Sequence, residues 1–136
     1  MIKLITGTKG SGKTKILVSM INKSLKTATG DLVCIEKNAN LTYDISYKVR
    51  LVEASRFSID SYESFYGFIA GMLAGNHDIK EIYVDSILDI AGGDLVLIGS
   101  MLEKLDIICG EDVTMVFTLL DNGNLPETVK KYEIVE

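Results

Sequence analysis

The sequence has 136 residues, of which 47% are hydrophobic and 24% are charged, and its formal net charge is −5. This length suits one ordinary domain, so we predict a single folded domain over residues 1–136. Lys and Arg together number 14, and only Arg50 and Arg56 are arginines. An acidic chain without a basic stripe is poorly suited to a phosphate backbone, so generic DNA or RNA binding is not expected.

Signals for export or for membrane insertion are not visible in the sequence. The most apolar stretch, residues 87–109, is interrupted by charged side chains that would be costly in hydrocarbon. Cys34 and Cys109 do not have the spacing of a metal site, which is typical of reduced thiols with a structural role. We therefore expect a cytoplasmic protein that does not engage a membrane.

Strand and helix patterns alternate along the chain. Apolar runs predict strands over residues 2–6, 32–35, 81–85 and 113–120, and helical spacing predicts helices over residues 16–25, 60–75 and 95–108. Asp60, followed by Glu63, is the expected start of the second helix. Residues 49–54 and 128–135 are further candidate strands. This order predicts an α/β fold, a three-layer α/β/α sandwich around a mostly parallel sheet, with ligands outside the carboxyl ends of the strands.

A glycine-rich loop joins the first strand to the first helix. Its residues are Gly7, Thr8, Lys9, Gly10, Ser11, Gly12, Lys13, Thr14 and Lys15. The first eight fit the pattern G-x-x-x-x-G-K-[ST], in which glycines let backbone N–H groups approach an anion. Lys13 adds a positive charge between the β- and γ-phosphates, and Thr14 offers a hydroxyl to magnesium. The following helix directs its positive dipole end at the same anion, so we predict binding of ATP with Mg²⁺.

Asp85 is the expected second ligand of the metal. It follows the apolar run Ile82-Tyr83-Val84, which is typical of a strand buried in a parallel sheet. An aspartate at such a strand end is placed to hold magnesium, often through water, in nucleotide hydrolases with this type of loop. Thr14 and Asp85 are therefore the predicted metal residues.

These residues resemble those of the P-loop NTPase superfamily and, within it, those of the RecA-like branch. Three stretches carry the resemblance: residues 7–14, residues 34–41 and residues 84–86. It implies a sheet in which one inserted strand separates the strand before the loop from the strand that ends at Asp85. It also implies a catalytic glutamate near the end of the second strand. Glu36 is the only carboxylate there, and Asn38 occupies the position where several RecA-like proteins carry the glutamate.

The sequence leaves open which residue activates water. Many related ATPases place a glutamate directly after the magnesium aspartate, where it can deprotonate water, but this chain has Ser86 there. The catalytic candidates are Lys13, at the phosphates, and Glu36, with Asp89 or no residue at all as alternatives to Glu36. The polar residues Thr118, Asp121 and Asn122 are candidate sensors of the γ-phosphate by the same resemblance.

The function predicted from these features is magnesium-dependent hydrolysis of ATP. One alternative is a regulatory module that binds nucleotide with little or no hydrolysis, consistent with the missing glutamate after Asp85. A small-molecule kinase is a weaker alternative, because two arginines make a poor lid over the phosphates. RecA-like proteins often assemble into rings or filaments, so a homo-oligomer is a possible partner.

Overall fold

Five strands form one sheet, and all of their pairings are parallel in the computed structural model, which describes residues 1–41 and 44–134. The strands are β1 (Ile2–Gly7), β2 (Asp31–Glu36), β3 (Arg50–Glu53), β4 (Ile79–Val84) and β5 (Thr114–Leu120). The helices are α1 (Lys13–Leu25), α2 (Tyr62–Gly75), α3 (Ile87–Ala91), α4 (Leu95–Cys109) and α5 (Glu127–Lys130), and a 3-10 turn spans Ala54–Phe57. The strand order is β1-β5-β4-β2-β3.

Each face of the sheet carries its own hydrophobic core, because side chains alternate between the faces along a strand. On one face, Val33 and Ile35 of β2 belong to the cluster that includes buried residues of α2, α3, α4 and α5. On the other face, Cys34 of β2 packs in a second cluster with Leu17 and Ile21 of α1. Helices on both faces of a parallel sheet confirm the predicted three-layer α/β/α sandwich.

The sheet order places the sequence motifs at neighbouring strand ends. β5 lies between β1 and β4, so one inserted strand separates the strand before the glycine-rich loop from the strand before Asp85, as predicted. β4 in turn lies next to β2, which ends at Glu36. Parallel strands end at the same edge, and this edge therefore brings the loop, Asp85 and Glu36 together.

The predicted strand over residues 128–135 is wrong in its first half. Residues 127–130 form the short helix α5. Pro126 fixes the backbone ahead of that helix with a φ of −70°, and Val129 and Tyr132 both pack in the core on the face covered by α2 and α4. Only Glu133 forms an isolated parallel bridge, with Leu4, and Val135 lies outside the described residues.

Two helix boundaries also differ from the prediction. α2 begins after Ser61 rather than at Asp60, because the Ser61 side chain accepts the Ser64 N–H and the Ser64 side chain accepts the Ser61 N–H. Such a reciprocal cap satisfies two N–H groups that have no partner within the helix. α3 was not predicted, since five residues are too short for a helical period to be recognised.

Candidate nucleotide-binding site

The glycine-rich loop turns sharply between the end of β1 and the start of α1. Gly12 precedes α1 with a φ of 89° and a ψ of 19°, a left-handed conformation that glycine adopts without steric cost. The Ser11 N–H donates to the Thr8 carbonyl at 3.2 Å. A Cβ at Gly7 would collide with the Ser11 side chain. Glycines at these positions therefore keep the loop tight at the amino end of α1.

The Lys13 ammonium folds back over this loop. Its Nζ donates to the Thr8 carbonyl oxygen at 2.7 Å. A carbonyl oxygen presents the same kind of acceptor as a phosphate oxygen, but it lacks the full negative charge. The hydrogen bond therefore keeps the positive charge of Lys13 above the backbone of the loop, where an anion bound to the loop would meet it.

A row of three polar side chains crosses the carboxyl edge of the sheet next to the loop. Val84 pairs with Ile35 on one side and with Phe117 on the other, so Glu36, Asp85 and Thr118 follow these partners in register. The alternation of side chains places all three on the face covered by α1. Glu36 and Thr118 are the buried polar or charged residues in the described part of the chain, with 4% and 1% exposure.

Asp85, in the middle of the row, faces the start of α1. The Thr14 hydroxyl lies 3.1 Å from Oδ1 and 3.2 Å from Oδ2 of Asp85. A hydroxyl and a carboxylate are both oxygen ligands of the type that magnesium prefers. The described residues contain no cluster of three or more His, Cys, Asp or Glu that could enclose a metal. Two protein ligands suit Mg²⁺, which usually keeps several waters and substrate phosphate oxygens.

Thr118 lines the cavity beside the loop and also forms hydrogen bonds at the end of β4. Its hydroxyl donates to Asp85 Oδ1 at 2.8 Å and accepts the Ser86 N–H at 2.6 Å. Asp121, predicted as a sensor along with Thr118 and Asn122, instead accepts the Gly123 N–H through Oδ1. The structure therefore joins Thr118 to Asp85, the predicted metal residue, and neither Asp121 nor Asn122 lines the cavity beside the loop.

Glu36 directs its carboxylate towards its own following loop. Oε1 accepts the Asn40 N–H at 2.6 Å, and Oε2 accepts the Leu41 N–H at 3.2 Å. The pKa of Glu36 is raised, chiefly because the carboxyl is buried and also because the charges of Asp85 and Glu53 lie nearby, while the two N–H donors act in the opposite direction. Both of its oxygens already accept backbone N–H groups of the loop. The catalytic role of Glu36 stays a prediction.

Asn38 and Cys34 lie two residues after and two residues before Glu36 in the sequence. The Asn38 side chain accepts a hydrogen bond from the Ser55 hydroxyl at 3.2 Å. Burial, together with the charges of Glu36 and Asp85, raises the pKa of the Cys34 thiol to about 12. A thiol that stays protonated is a poor nucleophile, which agrees with the structural role predicted for Cys34.

A cavity of about 670 Å³ opens between the glycine-rich loop and the end of β4. Its lining includes much of the predicted site: Lys9, Gly10, Gly12, Lys13, Thr14, Lys15, Ser86, Leu88, Asp89 and Thr118, with Leu119 and Leu120. This lining contains three lysines and one carboxylate, that of Asp89. Glu36 is not part of the lining, so Asp89 is the candidate water-activating carboxylate that this cavity exposes.

A second cavity, of about 610 Å³, continues from the first along α1. The two cavities share Thr14 and Lys15, and the second is bounded by Val18, Asn22, Leu41 and Asp44, together with Ser19, Lys23 and Lys26. This groove was not predicted from the sequence. Residues 15, 18, 19, 22 and 26 recur at helical spacing, which could have indicated one exposed face of α1, but no pattern indicated the contribution of Leu41 and Asp44.

The parallel sheet, its strand order and the helices on both of its faces define an α/β fold of the RecA-like kind. In fold, the chain is similar to a KaiC-like protein from the hyperthermophilic archaeon Pyrococcus horikoshii OT3, with a TM-score of 0.64 and 20% sequence identity. The match covers 93% of this chain and 66% of the archaeal one, and at this identity it concerns the fold alone. No protein-family model and no curated protein matches the sequence.

The described helices do not suit a bilayer. None of them combines the length and the apolar character that a membrane crossing requires.

Proposed function

We propose that this chain binds ATP together with Mg²⁺ and hydrolyses it. The observation that supports the proposal most strongly is the geometry around Thr14. This residue lies in the first turn of α1, where the glycine-rich loop ends, and its hydroxyl lies within 3.2 Å of both carboxylate oxygens of Asp85. An anion-binding loop and a pair of oxygen ligands for a metal thus meet at one residue, which is the arrangement that a magnesium-bound triphosphate requires.

The residues of the loop account for binding of the phosphates. The backbone N–H groups of residues 10–14 and the positive end of α1 attract the negative charge. Lys13 exchanges its bond to the Thr8 carbonyl for a stronger, charge-assisted bond to a phosphate oxygen. Bound between Thr14 and Asp85, magnesium would neutralise part of the charge on the phosphates.

The groove along α1 is the proposed binding site of the nucleoside. It begins at Thr14 and Lys15, next to the proposed phosphate site, so the ribose and the base would lie in the groove. Val18 and Leu41 offer apolar contacts to a flat ring, and Asn22 and Asp44 offer polar groups to its edge. A mostly apolar cleft with a few polar groups is the usual form of such a site.

Hydrolysis further requires a group that activates water. Asp89 lines the phosphate cavity and is exposed, whereas Glu36 is buried and accepts two backbone hydrogen bonds. We therefore assign the role to Asp89 and retain Glu36 as the competing candidate. The second candidate function, nucleotide binding with little hydrolysis, is favoured by the position after Asp85, where Ser86 offers a hydroxyl instead of a carboxylate.

Calorimetry with ATP, with and without magnesium, tests the proposal. The parent protein is expected to bind ATP with a stoichiometry of one, and Lys13→Ala is expected to weaken binding by about 100-fold, the equivalent of roughly 3 kcal/mol for a charge-assisted hydrogen bond. Lys13 lies on the loop rather than in the core, so the melting temperature should not change.

Lys37→Ala is the matched control for this measurement. Lys37 is exposed and lies outside both cavities, so its removal takes away one positive charge without touching the proposed site. Equal ATP affinity in the parent and in Lys13→Ala would contradict the proposed function. A loss in Lys37→Ala as large as the loss in Lys13→Ala would show that general charge, rather than the loop, attracts the nucleotide.

A further inference from the structure

Thr118 is buried near the carboxyl end of β5, with a hydroxyl that has two partners. It is 1% exposed, and its hydroxyl donates to Asp85 Oδ1 and accepts from the Ser86 N–H. A threonine hydroxyl has one donor and can act as an acceptor at the same time. Thr118 therefore ties β5 to the two consecutive residues at which β4 ends.

Ser86 has a backbone conformation that needs such support. Its φ is 59° and its ψ is 60°, in the left-handed region. A residue other than glycine in this region costs roughly 1–2 kcal/mol. Such strain persists where the surrounding structure fixes the residue, and it is concentrated at functional sites. The bond from the Ser86 N–H to Thr118 is the contact that fixes it here.

The turn at Ser86 has consequences for the wall of the phosphate cavity. The Ser86 carbonyl accepts the N–H groups of Asp89 and Ile90, at 3.0 and 3.3 Å, and so begins α3. Asp89 lines the cavity from this helix. The direction in which the chain leaves β4 thus decides where α3 and Asp89 stand relative to the glycine-rich loop.

We propose that Thr118 is a positioning residue that orients the Asp85 carboxylate towards Thr14 and holds Ser86 in its left-handed turn. The inference rests on the proposed function, because it concerns the metal site of that function. Thr118 itself touches neither metal nor phosphate in this role. It acts through Asp85, whose Oδ1 it binds, and through the amide that follows Asp85.

The chemistry of the hydroxyl predicts which replacements are tolerated. Valine has nearly the shape of threonine, but it would leave the Ser86 N–H without an acceptor and Asp85 Oδ1 without its donor at 2.8 Å. A buried donor without a partner is unfavourable. Serine retains the hydroxyl and loses only a methyl group. The two variants therefore separate the hydrogen bonds from the packing.

The test measures binding of the ATP analogue AMP-PNP by calorimetry, with Mg²⁺ and with EDTA. In Thr118→Val we expect affinity in the presence of Mg²⁺ to fall by about 10- to 100-fold, the usual effect of removing a residue that orients a metal ligand. Affinity in EDTA should stay within about twofold, because the loop still binds the phosphates. Thr118→Ser should restore the Mg²⁺-dependent gain.

A purely structural role gives a different result. Equal losses with Mg²⁺ and with EDTA in Thr118→Val, or no loss in either, would overturn the inference while leaving the proposed function in place. Absence of AMP-PNP binding in the parent would instead contradict the proposed function, and the inference with it.

Hydrogen exchange provides a readout that does not depend on ligand. The Ser86 amide should exchange faster in Thr118→Val than in the parent and in Thr118→Ser. Unchanged protection of this amide in the valine variant would also overturn the inference. If Thr118→Val does not fold, Thr118→Ala supplies the same comparison, since it too removes the hydroxyl and retains no acceptor for Ser86.

Discussion

The ends of β4 and β2 lie side by side in the sheet, and each places a carboxylate on the face covered by α1, yet the two carboxylates have different partners. Asp85, after β4, faces the Thr14 hydroxyl across the gap between sheet and helix. Glu36, at the end of β2, accepts N–H groups from Asn40 and Leu41 of its own loop. One strand end faces the proposed nucleotide, and the other stabilises the chain that follows it.

The difference between these strand ends lies in the backbone that follows each carboxylate. After Asp85, the Ser86 N–H bonds to Thr118 on the neighbouring strand, so the local amide does not occupy the carboxylate. After Glu36, the loop folds back and its amides bond to both carboxylate oxygens. A carboxylate at a strand end is available to a ligand only where the following loop finds its hydrogen-bond partners elsewhere.

The largest change that we expect is in the rate of ATP hydrolysis, and it tests the difference between the two strand ends. We expect Asp89→Asn, on the helix after β4, to lower the rate of ATP hydrolysis by about 100-fold, the lower range for loss of a general base. Glu36→Gln should lower the rate less. A steady-state ATPase assay at saturating ATP measures both. A greater loss in Glu36→Gln would return the catalytic role to the end of β2, and equal rates in all three proteins would remove both carboxylates from the mechanism.

A second measurement tests the proposed role of Asp85 as a magnesium ligand. Asp85→Asn retains the size of the side chain but removes its charge, so we expect ATP binding in the presence of Mg²⁺ to weaken by about 30-fold, or roughly 2 kcal/mol. Binding in EDTA should change little. Calorimetry under both conditions decides between a metal ligand and a merely structural aspartate, because only a ligand makes the loss depend on magnesium.

A third measurement concerns stability at the end of β2. Glu36→Gln places an amide NH₂ where one backbone N–H now finds an acceptor, so the free energy of unfolding should fall by about 2 kcal/mol. Urea denaturation measures this change.

Glu53→Gln is the control for that comparison, because Glu53 also accepts a backbone N–H of this loop, from Ala39, but at 3.3 Å and in an exposed position. Its loss of stability should be clearly smaller. Equal losses in the two variants would show that the burial of Glu36 does not increase the contribution of its hydrogen bonds to the free energy of unfolding.

The sequence predicts most of the central sheet, because strands that are buried on both faces have a clear apolar pattern. β1, β4 and β5 lie close to their predicted positions, and the prediction of one inserted strand is confirmed. Prediction was weakest where tertiary contacts decide the structure. The candidate strand over residues 49–54 is confirmed as the short edge strand β3, but α5 depends on its position after Pro126 rather than on a helical period.

The candidate site was likewise predicted only in part. The glycine-rich loop could be predicted, because its chemistry depends on neighbours in the sequence, and the end of β4 was found from the apolar run before Asp85. The hydrogen bonds of Thr118 to Asp85 and Ser86 could not be predicted, since they join residues 33 and 32 positions apart and depend on the register of two strands. The partners of Glu36 depend on a fold-back of the following loop that no local pattern indicated.

Of the described helices, α1 alone contributes buried residues to the core on its side of the sheet, through Leu17 and Ile21. The same helix begins at the proposed phosphate site, so a ligand that restrains its first turn also restrains the cover of that core. Ligand occupancy and the integrity of this half of the molecule are then thermodynamically linked: a nucleotide that binds only the folded chain would raise its melting temperature in proportion to the logarithm of the ratio of ligand concentration to dissociation constant. A change in nucleotide concentration would thereby change the fraction of molecules in which this layer is folded.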